Sequence, residues 1–439
     1  MYNAATDSVS RGVVAPVSPG ERVQALDVLR GLALLGILVV NILDYAPTAK
    51  SGAERLTVQL IDVFADGSFY PLFSLLFGVG FAVFLDRAAA RGGSGVILYV
   101  RRLLALLVIA VLQFVLLEDR NILVRYAFLA LPLLLFWRAS ARVCFGAALL
   151  CFGLAIARGP IDRTLALRTW RDPVTAAVAR EQLSATRAQN QAQRAEHQRV
   201  DATHSFAEYA SYRAGRVLNV LSWSIDLRRN PSLLHILAMF LLGAAAWRAR
   251  VFSQPTFNRR LHRRILVWGA LAGVAGNLAV VQGLAGNLAV VPGPIGGPLG
   301  PLTARSVLTT AITLTADTAL TLAYVAGMML LLYGGRAAWH RCSAALAVVG
   351  RMGLTNYLWQ SVAMSLLFLP YGLRLDGKLP VRAYPLIGVI IFASHLPLST
   401  WWLARYRFGP AEWLWRTATY GRLQPMRLLA AGATAETQA

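Results

Sequence analysis

Ten apolar runs, fifteen to twenty-five residues long, decide what this chain can fold into. They lie at Leu26–Leu43, Phe69–Leu85, Leu103–Leu117, Ile122–Trp137, Val143–Ala157, Leu233–Trp247, Ile265–Val281, Leu308–Leu332, Leu346–Leu369 and Leu386–Leu403. A helix that crosses a bilayer needs about 20 apolar residues. Lipid offers no hydrogen bonds, so the backbone of such a run must satisfy itself as a helix. The expected fold class is all-α, a polytopic transmembrane helical bundle of about ten spans. Charged residues make up 15% of the 439, against about 25% in a soluble domain. Mean hydropathy is +0.53. Those values exclude a disordered chain, a coiled coil and a soluble cytosolic enzyme.

Orientation follows from the basic residues. Lys and Arg total 43 against 21 Asp and Glu, a formal charge of +22. Short cytosolic loops attract Lys and Arg. With the N-terminus inside, the short inside loops and C-terminal tail carry nineteen arginines. Among them are Arg101 and Arg102, Arg138 and Arg142, Arg336 and Arg341, and Arg416. The short outside loops carry eight basic residues: Lys50, Arg55, Arg120, Arg125, Arg305, Arg374, Lys378 and Arg382. Both termini are therefore expected in the cytosol. The chain divides into a polar N-terminal tail (1–21), a first transmembrane half of about five spans (22–157), a long polar extracytoplasmic loop, partly helical (158–232), a second half of about five spans (233–403) and a basic C-terminal tail (404–439).

The long loop holds about a dozen basic residues against seven acids. Loops beyond about 60 residues escape the charge rule, so it does not contradict the topology. Its stretch Val174–Gln198 carries charge on every side, which predicts an exposed helix. It serves either as a lid or docking element or as a solvated spacer. Farther on, Gly276–Val281 recurs ten residues later as Gly286–Val291, and a Gly/Pro-rich turn, Pro292–Pro301, follows. The repeat lacks the Gly-Lys-Ser/Thr ending of a phosphate loop. Gly269 and Gly273 permit one close helix crossing.

The basic excess is nearly all arginine and sits on no visible soluble domain, so no nucleic-acid partner is expected. Three cysteines, Cys144, Cys151 and Cys342, make no disulfide framework, and no His/Cys spacing suits a metal, so none is expected. The polar first twenty residues lack the apolar core of a cleaved signal peptide.

Polar groups within the runs cost free energy and are functional candidates. Asp27 and Arg30 share a helix face, either as an interfacial ion pair or with Arg30 aimed at an anion such as phosphate. Asn41 ends the same run, where it caps the helix or orients a substrate. Asp62 and Asp66 precede the second run, as a helix-start feature or a proton or cation site. Gln113, then Glu118, Asp119, Arg120 and Asn121, then Arg125 and Tyr126 form a dense outer cluster. It suits acid/base work or a self-satisfied ion network. His235 and His395 are lone histidines of the packing kind, and Asp317 needs a partner that neighbouring threonines offer. Asn356 and Gln360 lie one turn apart on a face that must look inward, with Arg351 just before them. Glu412 and Arg416 read as an i,i+4 pair flanked by tryptophans at the interface.

Four segments carry a resemblance. They are the opening Leu26-Asp-Val-Leu-Arg-Gly-Leu-Ala-Leu-Leu-Gly-Ile-Leu-Val-Val-Asn41, then Phe69–Gly80, Gly350-Arg-Met-Gly-Leu-Thr-Asn-Tyr-Leu-Trp-Gln-Ser361 and Gly409-Pro-Ala-Glu-Trp-Leu-Trp-Arg416. In themselves and in their order along the chain they resemble the YeiB-like family of bacterial integral membrane proteins, grouped with the transmembrane acyltransferases such as the heparan-α-glucosaminide N-acetyltransferases. The resemblance implies a multi-pass protein of the bacterial cytoplasmic (inner) membrane with a central tunnel. It implies acyl transfer from cytosolic acyl-CoA to an envelope lipid, sugar or small-molecule acceptor. Membrane lipids would surround it, and a homodimer is compatible with it.

On that implication Arg30, Arg351, Asn356 and Gln360 would bind the donor. Asn41, Gln113, Asp119, Asn121 and Tyr126 would serve the reaction. The pattern departs from the family where a His is replaced by Gln113, an Asp by Asn121 and a Lys or Arg by Ser68. A branch of the acyltransferases also has a His in place of Asn41. Gln and Asn position groups but do not take protons. The chemistry would then fall to Asp119, Glu118 or His235, or the chain would be a non-catalytic relative that binds or transports a lipid or small molecule.

Overall fold

A computed structural model describes residues 23–90, 95–117, 122–227, 230, 232–252, 257–283, 304–333 and 337–427. Sixteen α-helices form among them, and no β-strand beyond the single bridge Tyr406–Arg427. The first half contains α1 (Gln24–Ile42), α2 (Gly52–Phe64), α3 (Phe69–Ala90), α4 (Gly95–Leu116), α5 (Ile122–Leu129) and α6 (Ala141–Arg171). The loop supplies α7 (Pro173–Thr203), α8 (Phe206–Gly215) and α9 (Val217–Ile225). The second half contains α10 (Ser232–Arg248), α11 (Arg259–Val281), α12 (Ala304–Tyr333), α13 (Ala337–Arg351), α14 (Gly353–Phe368) and α15 (Ala383–Leu403), and α16 (Pro410–Tyr420) lies in the tail.

Every apolar run lies in helix, and seven segments are long and apolar enough to cross a membrane, with α10 a shorter apolar helix. Two runs are not single helices. The fourth ends as α5 at Leu129 and resumes as a 3-10 turn, Pro132–Phe136, because Pro132 has no N–H to continue the ladder. The ninth divides at Met352 into α13 and α14.

At the centre stands α1, against α3, α12, α13, α14 and α15. Thirteen of its nineteen residues are buried. Glycine makes two tight crossings there. A Cβ on Gly31 would stand 2.2 Å from the Leu346 carbonyl oxygen, and one on Gly78 would stand 1.8 Å from that of Phe240. The first brings α13 onto α1, the second α10 onto α3. Gly269 and Gly273 likewise admit α12, with a Cβ at each 2.7 Å from its neighbour, as their spacing predicts. The perimeter helices expose Leu104, Val108, Leu149, Trp268, Val389 and Ile390. Apolar groups on the outside of such a bundle meet lipid.

The long loop is almost wholly helical. α6 does not stop at Ala157 but runs on to Arg171, past Pro160, and α7 packs back along it. Asp172 caps α7 by accepting from the Thr175 N–H at 3.0 Å, and Pro173 opens it. Most of α7 is exposed, as its charge pattern predicts. By contrast α8 and α9 lie against α4 and α5, and Leu221 joins the core.

Candidate functional site

Buried polar side chains run along α1 and α14 in three groups. Arg30 and Asn41 are eleven residues apart on α1, so the groups extend about 16 Å at the helical rise of 1.5 Å per residue.

The first group lies at the Asn41 end. α3 begins at Phe69, so Tyr70 and Ser74 share a face one turn apart. The Tyr70 hydroxyl donates to Asn41 Oδ1 at 2.5 Å. The Tyr126 hydroxyl lies 2.6 Å from Ser74 Oγ and 3.1 Å from the Tyr70 carbonyl oxygen. Phe73, Phe77 and Phe240 pack around the Tyr126 ring, which is fully buried. Next to it, Arg125 is half-buried, its guanidinium 4.5 Å from the centre of the Trp223 ring on α9.

The middle group belongs to α14. Gln113 Nε2 donates to Ser361 Oγ at 2.8 Å. Gln360 Nε2 donates to the Leu34 carbonyl at 3.3 Å and to Nε2 of His395, on α15, at 3.2 Å. With Gln360 donating, the imidazole proton sits on Nδ1, which meets no protein acceptor. Gln113 Oε1 is likewise buried without a partner. Asn356 Nδ2 donates to the Val349 carbonyl at 2.9 Å and to Ser399 Oγ at 3.0 Å. Asn356 and Gln360 thus share the inward face that their spacing requires. Buried polar atoms without partners are uncommon and mark places where a ligand or a proton can act.

The third group closes the Arg30 end. Arg30 Nη1 bonds Asp27 Oδ1 at 2.8 Å. Arg102 stacks on Trp415 with 3.8 Å to the ring centre, and Arg416 lies over Phe408 at 4.5 Å. The three guanidiniums feel one another's charge. Glu412 does not pair with Arg416 as its spacing suggests. Its carboxylate instead receives the N–H of Leu354 at 2.6 Å, the N–H of Thr355 at 3.1 Å and the Thr355 hydroxyl at 2.5 Å. It therefore caps α14, whose first turn has N–H groups with no partner of their own. Burial pushes the Glu412 carboxyl above its ordinary value despite those three donors. Burial also lowers Arg416, helped by the nearby Arg30.

Other candidates fall elsewhere. Arg351 is exposed at the end of α13, while Gly350 before it packs on the backbone of Asp27 and Gly31. Glu118, Asp119, Arg120 and Asn121 lie outside the described residues, as do the second copy of the repeat, Gly286–Val291, and the turn after it. Ser68 is buried, its hydroxyl without a partner. Asp62 ends α2 instead of starting a helix. Asp317 packs its carboxylate on Gly67, within electrostatic reach of Asp66. His235 contacts Thr318 at 3.0 Å and the edge of Phe152, which fits a packing role. The cysteines form no disulfide: Cys144 is buried, Cys151 half-buried and Cys342 exposed. Among the described residues no group of three His, Cys, Asp or Glu is arranged to hold a metal ion. The sequence did not single out Tyr70, Ser74 and Arg102, and it left His395 as a packing histidine. Gln113 and the shared face of Asn356 and Gln360 pointed toward the middle group.

Residues 246–422 match a family described as a protein of unknown function (DUF418). The chain is 30% identical over 434 residues to the uncharacterized protein YxaH of Bacillus subtilis (strain 168), covering 94% of this chain and 97% of that one. It is 28% identical over 421 residues to an uncharacterized 39.9 kDa protein in the amylase 3' region of Bacillus acidopullulyticus, covering 94% and 98%. It is 26% identical over 433 residues to the uncharacterized protein YeiB of Escherichia coli (strain K12), covering 91% and 96%. No solved structure matches it.

Proposed function

The chain belongs to the YeiB-like, DUF418 family of multi-pass membrane proteins, and from that premise we propose that it is an acyltransferase of the bacterial inner membrane. It takes acyl-CoA at the Arg30 end, in the cytosol, and an envelope or small-molecule acceptor from the Asn41 end. The observation that carries this reading is His395, a titratable group buried midway between the two ends with one ring nitrogen unpartnered.

The residues present suit the donor. Arg30, Arg102 and Arg416 gather three guanidiniums; Asp27 neutralises Arg30 and Glu412 caps α14, which leaves Arg102 and Arg416 for the donor's phosphates. Guanidiniums match phosphate oxygens in geometry and charge. Bound acyl-CoA supplies an activated acyl carbon: the acceptor hydroxyl oxygen bonds to it, the carbon–sulfur bond breaks, and the hydroxyl proton ends on sulfur. His395 can donate its Nδ1–H to the acyl carbonyl oxygen, where negative charge grows, with Gln360 holding the ring through Nε2. Donation to a developing oxyanion is worth about 10² to 10³ in rate. Asn41, Tyr70 and Tyr126 orient the acceptor, and Gln113 holds α14 through Ser361.

A non-catalytic binding or transport role draws on the Asn41 end, where Asn41 and Tyr126 bond to Tyr70 and Ser74. Mass spectrometry of ligands that co-purify with the full-length protein separates the two. CoA, acyl-CoA or an acylated acceptor is the expected result. An unacylated lipid alone, with no CoA species at saturating acyl-CoA, overturns the transferase reading.

A further inference from the structure

The long loop carries an apolar flank that its polar composition does not predict. On α9, Leu218 is 78% exposed and Ile225 54%, and Leu227 just beyond it is 47% exposed. A helix turns about 100° per residue, which sorts these side chains into four sides. Val217, Val220, Leu221 and the buried Ser224 share the side against the bundle, where Leu221 packs on the core. Asn219 and Ser222 fall opposite, with Asp226 in line beyond them, and make a polar edge. Leu218 and Ile225 lie between those two sides, within about 20° of each other. Trp223 occupies the remaining flank, over Arg125. One flank of α9 therefore turns in over α5, and the aliphatic one turns out.

What the outward flank meets follows from its neighbours. Arg125 is in the first turn of α5, so Trp223 sets α9 at the Asn41 end of the bundle. α9 packs on α4 as well as on α5. Along α4, Leu104, Val108, Leu112 and Leu116 form one exposed row at four-residue spacing, the surface of a helix that faces lipid. The flank of α9 carries that apolar surface on to the end of the bundle. A helix with one apolar side, one polar edge and a tryptophan suits the boundary of headgroups and acyl chains. By contrast α7, in the same loop, carries charge on every side.

We propose that α9 lies in the outer leaflet at the headgroup boundary, with Leu218, Ile225 and Leu227 among the acyl chains of phospholipid. The long loop is thereby anchored on the membrane by α9, while α7 stands in water. This holds with or without acyl transfer, because neither the donor nor His395 enters it.

The test uses the full chain in phosphatidylcholine nanodiscs. Cys342, the exposed cysteine, is replaced by Cys342→Ser, and the protein with no added cysteine is the blank. Leu218→Cys, Ile225→Cys, Asn219→Cys and, on α7, Gln191→Cys each take a nitrobenzoxadiazole label. All four side chains are exposed, so the substitutions leave the fold in place. The quenchers are a nitroxide near the top of a lipid acyl chain and acrylamide in the water. Labels at 218 and 225 should emit to the blue of those at 219 and 191. They should lose intensity to the lipid nitroxide and keep it in acrylamide, and the label at 191 should do the reverse. If the labels at 218 and 225 lose intensity to acrylamide as the one at 191 does, the flank faces water and the proposal is overturned. If they escape both quenchers, protein covers the flank, a second copy where the particle mass shows two chains, and the proposal is equally overturned.

Discussion

Removing the Glu412 side chain should unseat α14, the helix that carries the middle polar group. Its carboxylate accepts from two backbone N–H groups and one hydroxyl. Thr355 Oγ1 in turn accepts from the N–H of Ala411, so the cap also ties α16 to α14. A lost helix cap costs about 0.5–2 kcal/mol, and a buried donor left without a partner about 1–3 kcal/mol. Glu412→Ala should therefore cost about 3 kcal/mol. Glu412→Gln keeps an oxygen for the two N–H groups and an amide for the hydroxyl, so it should cost about 1 kcal/mol or less.

The pH dependence carries a sign. Burial raises the carboxyl in the folded state. Above the ordinary glutamate value the native protein then holds a proton that the unfolded chain has lost. Stability should be fullest below that value and fall as pH rises through the raised one. Glu412→Gln should remove this slope. The assay is reversible unfolding in mixed micelles titrated with dodecyl sulfate, read as a midpoint at several pH values. If Glu412→Ala lies within about 0.5 kcal/mol of wild type, the ordinary range for surface changes, the cap does not hold α14.

Three further outcomes follow from the same contacts. Gly31→Ala should cost about 3 kcal/mol in the same titration, since its Cβ meets the Leu346 backbone, whereas Gly80→Ala, with nothing within 4 Å, should be neutral or slightly stabilising. His395→Asn should keep a hydrogen bond to Gln360 yet slow single-turnover CoA release by about 10² or more, with acyl-CoA binding unchanged. Single cysteines within Val174–Gln198 should react with an impermeant thiol reagent added outside intact cells; reaction from the cytosol alone would reverse the topology.

Local spacing revealed what is local. The apolar runs gave the helices, the i,i+3 spacing gave the Asp27–Arg30 pair, and the i,i+4 spacing put Asn356 and Gln360 on one face. It misled where a distant partner outbid a near one. Glu412 could pair with Arg416 four residues on, but the bare N–H groups of α14 offered more donors at closer range. Arg102 looked like a loop charge that sets orientation, yet it is stacked on Trp415, more than three hundred residues away in sequence. His395 gains its meaning from Gln360 on another helix. The break at Met352 is flanked by Gly350 and Gly353, but the apolar run reads through it, and the cap from Glu412 of α16 fixes where α14 starts. Arg125 was visible as a charge beside Tyr126, but its cover by Trp223 depends on how the long loop folds back.

The donor at the Arg30 end is the centre of this account. Equilibrium binding of radiolabelled acyl-CoA to the full-length protein in nanodiscs tests it most directly. Binding should be saturable and displaced by free CoA. It should be weakened about tenfold or more by Arg102→Gln or Arg416→Gln, the loss of one guanidinium–phosphate contact, and left intact by His395→Asn. Absence of saturable binding at millimolar acyl-CoA, or binding indifferent to both arginines, would contradict it.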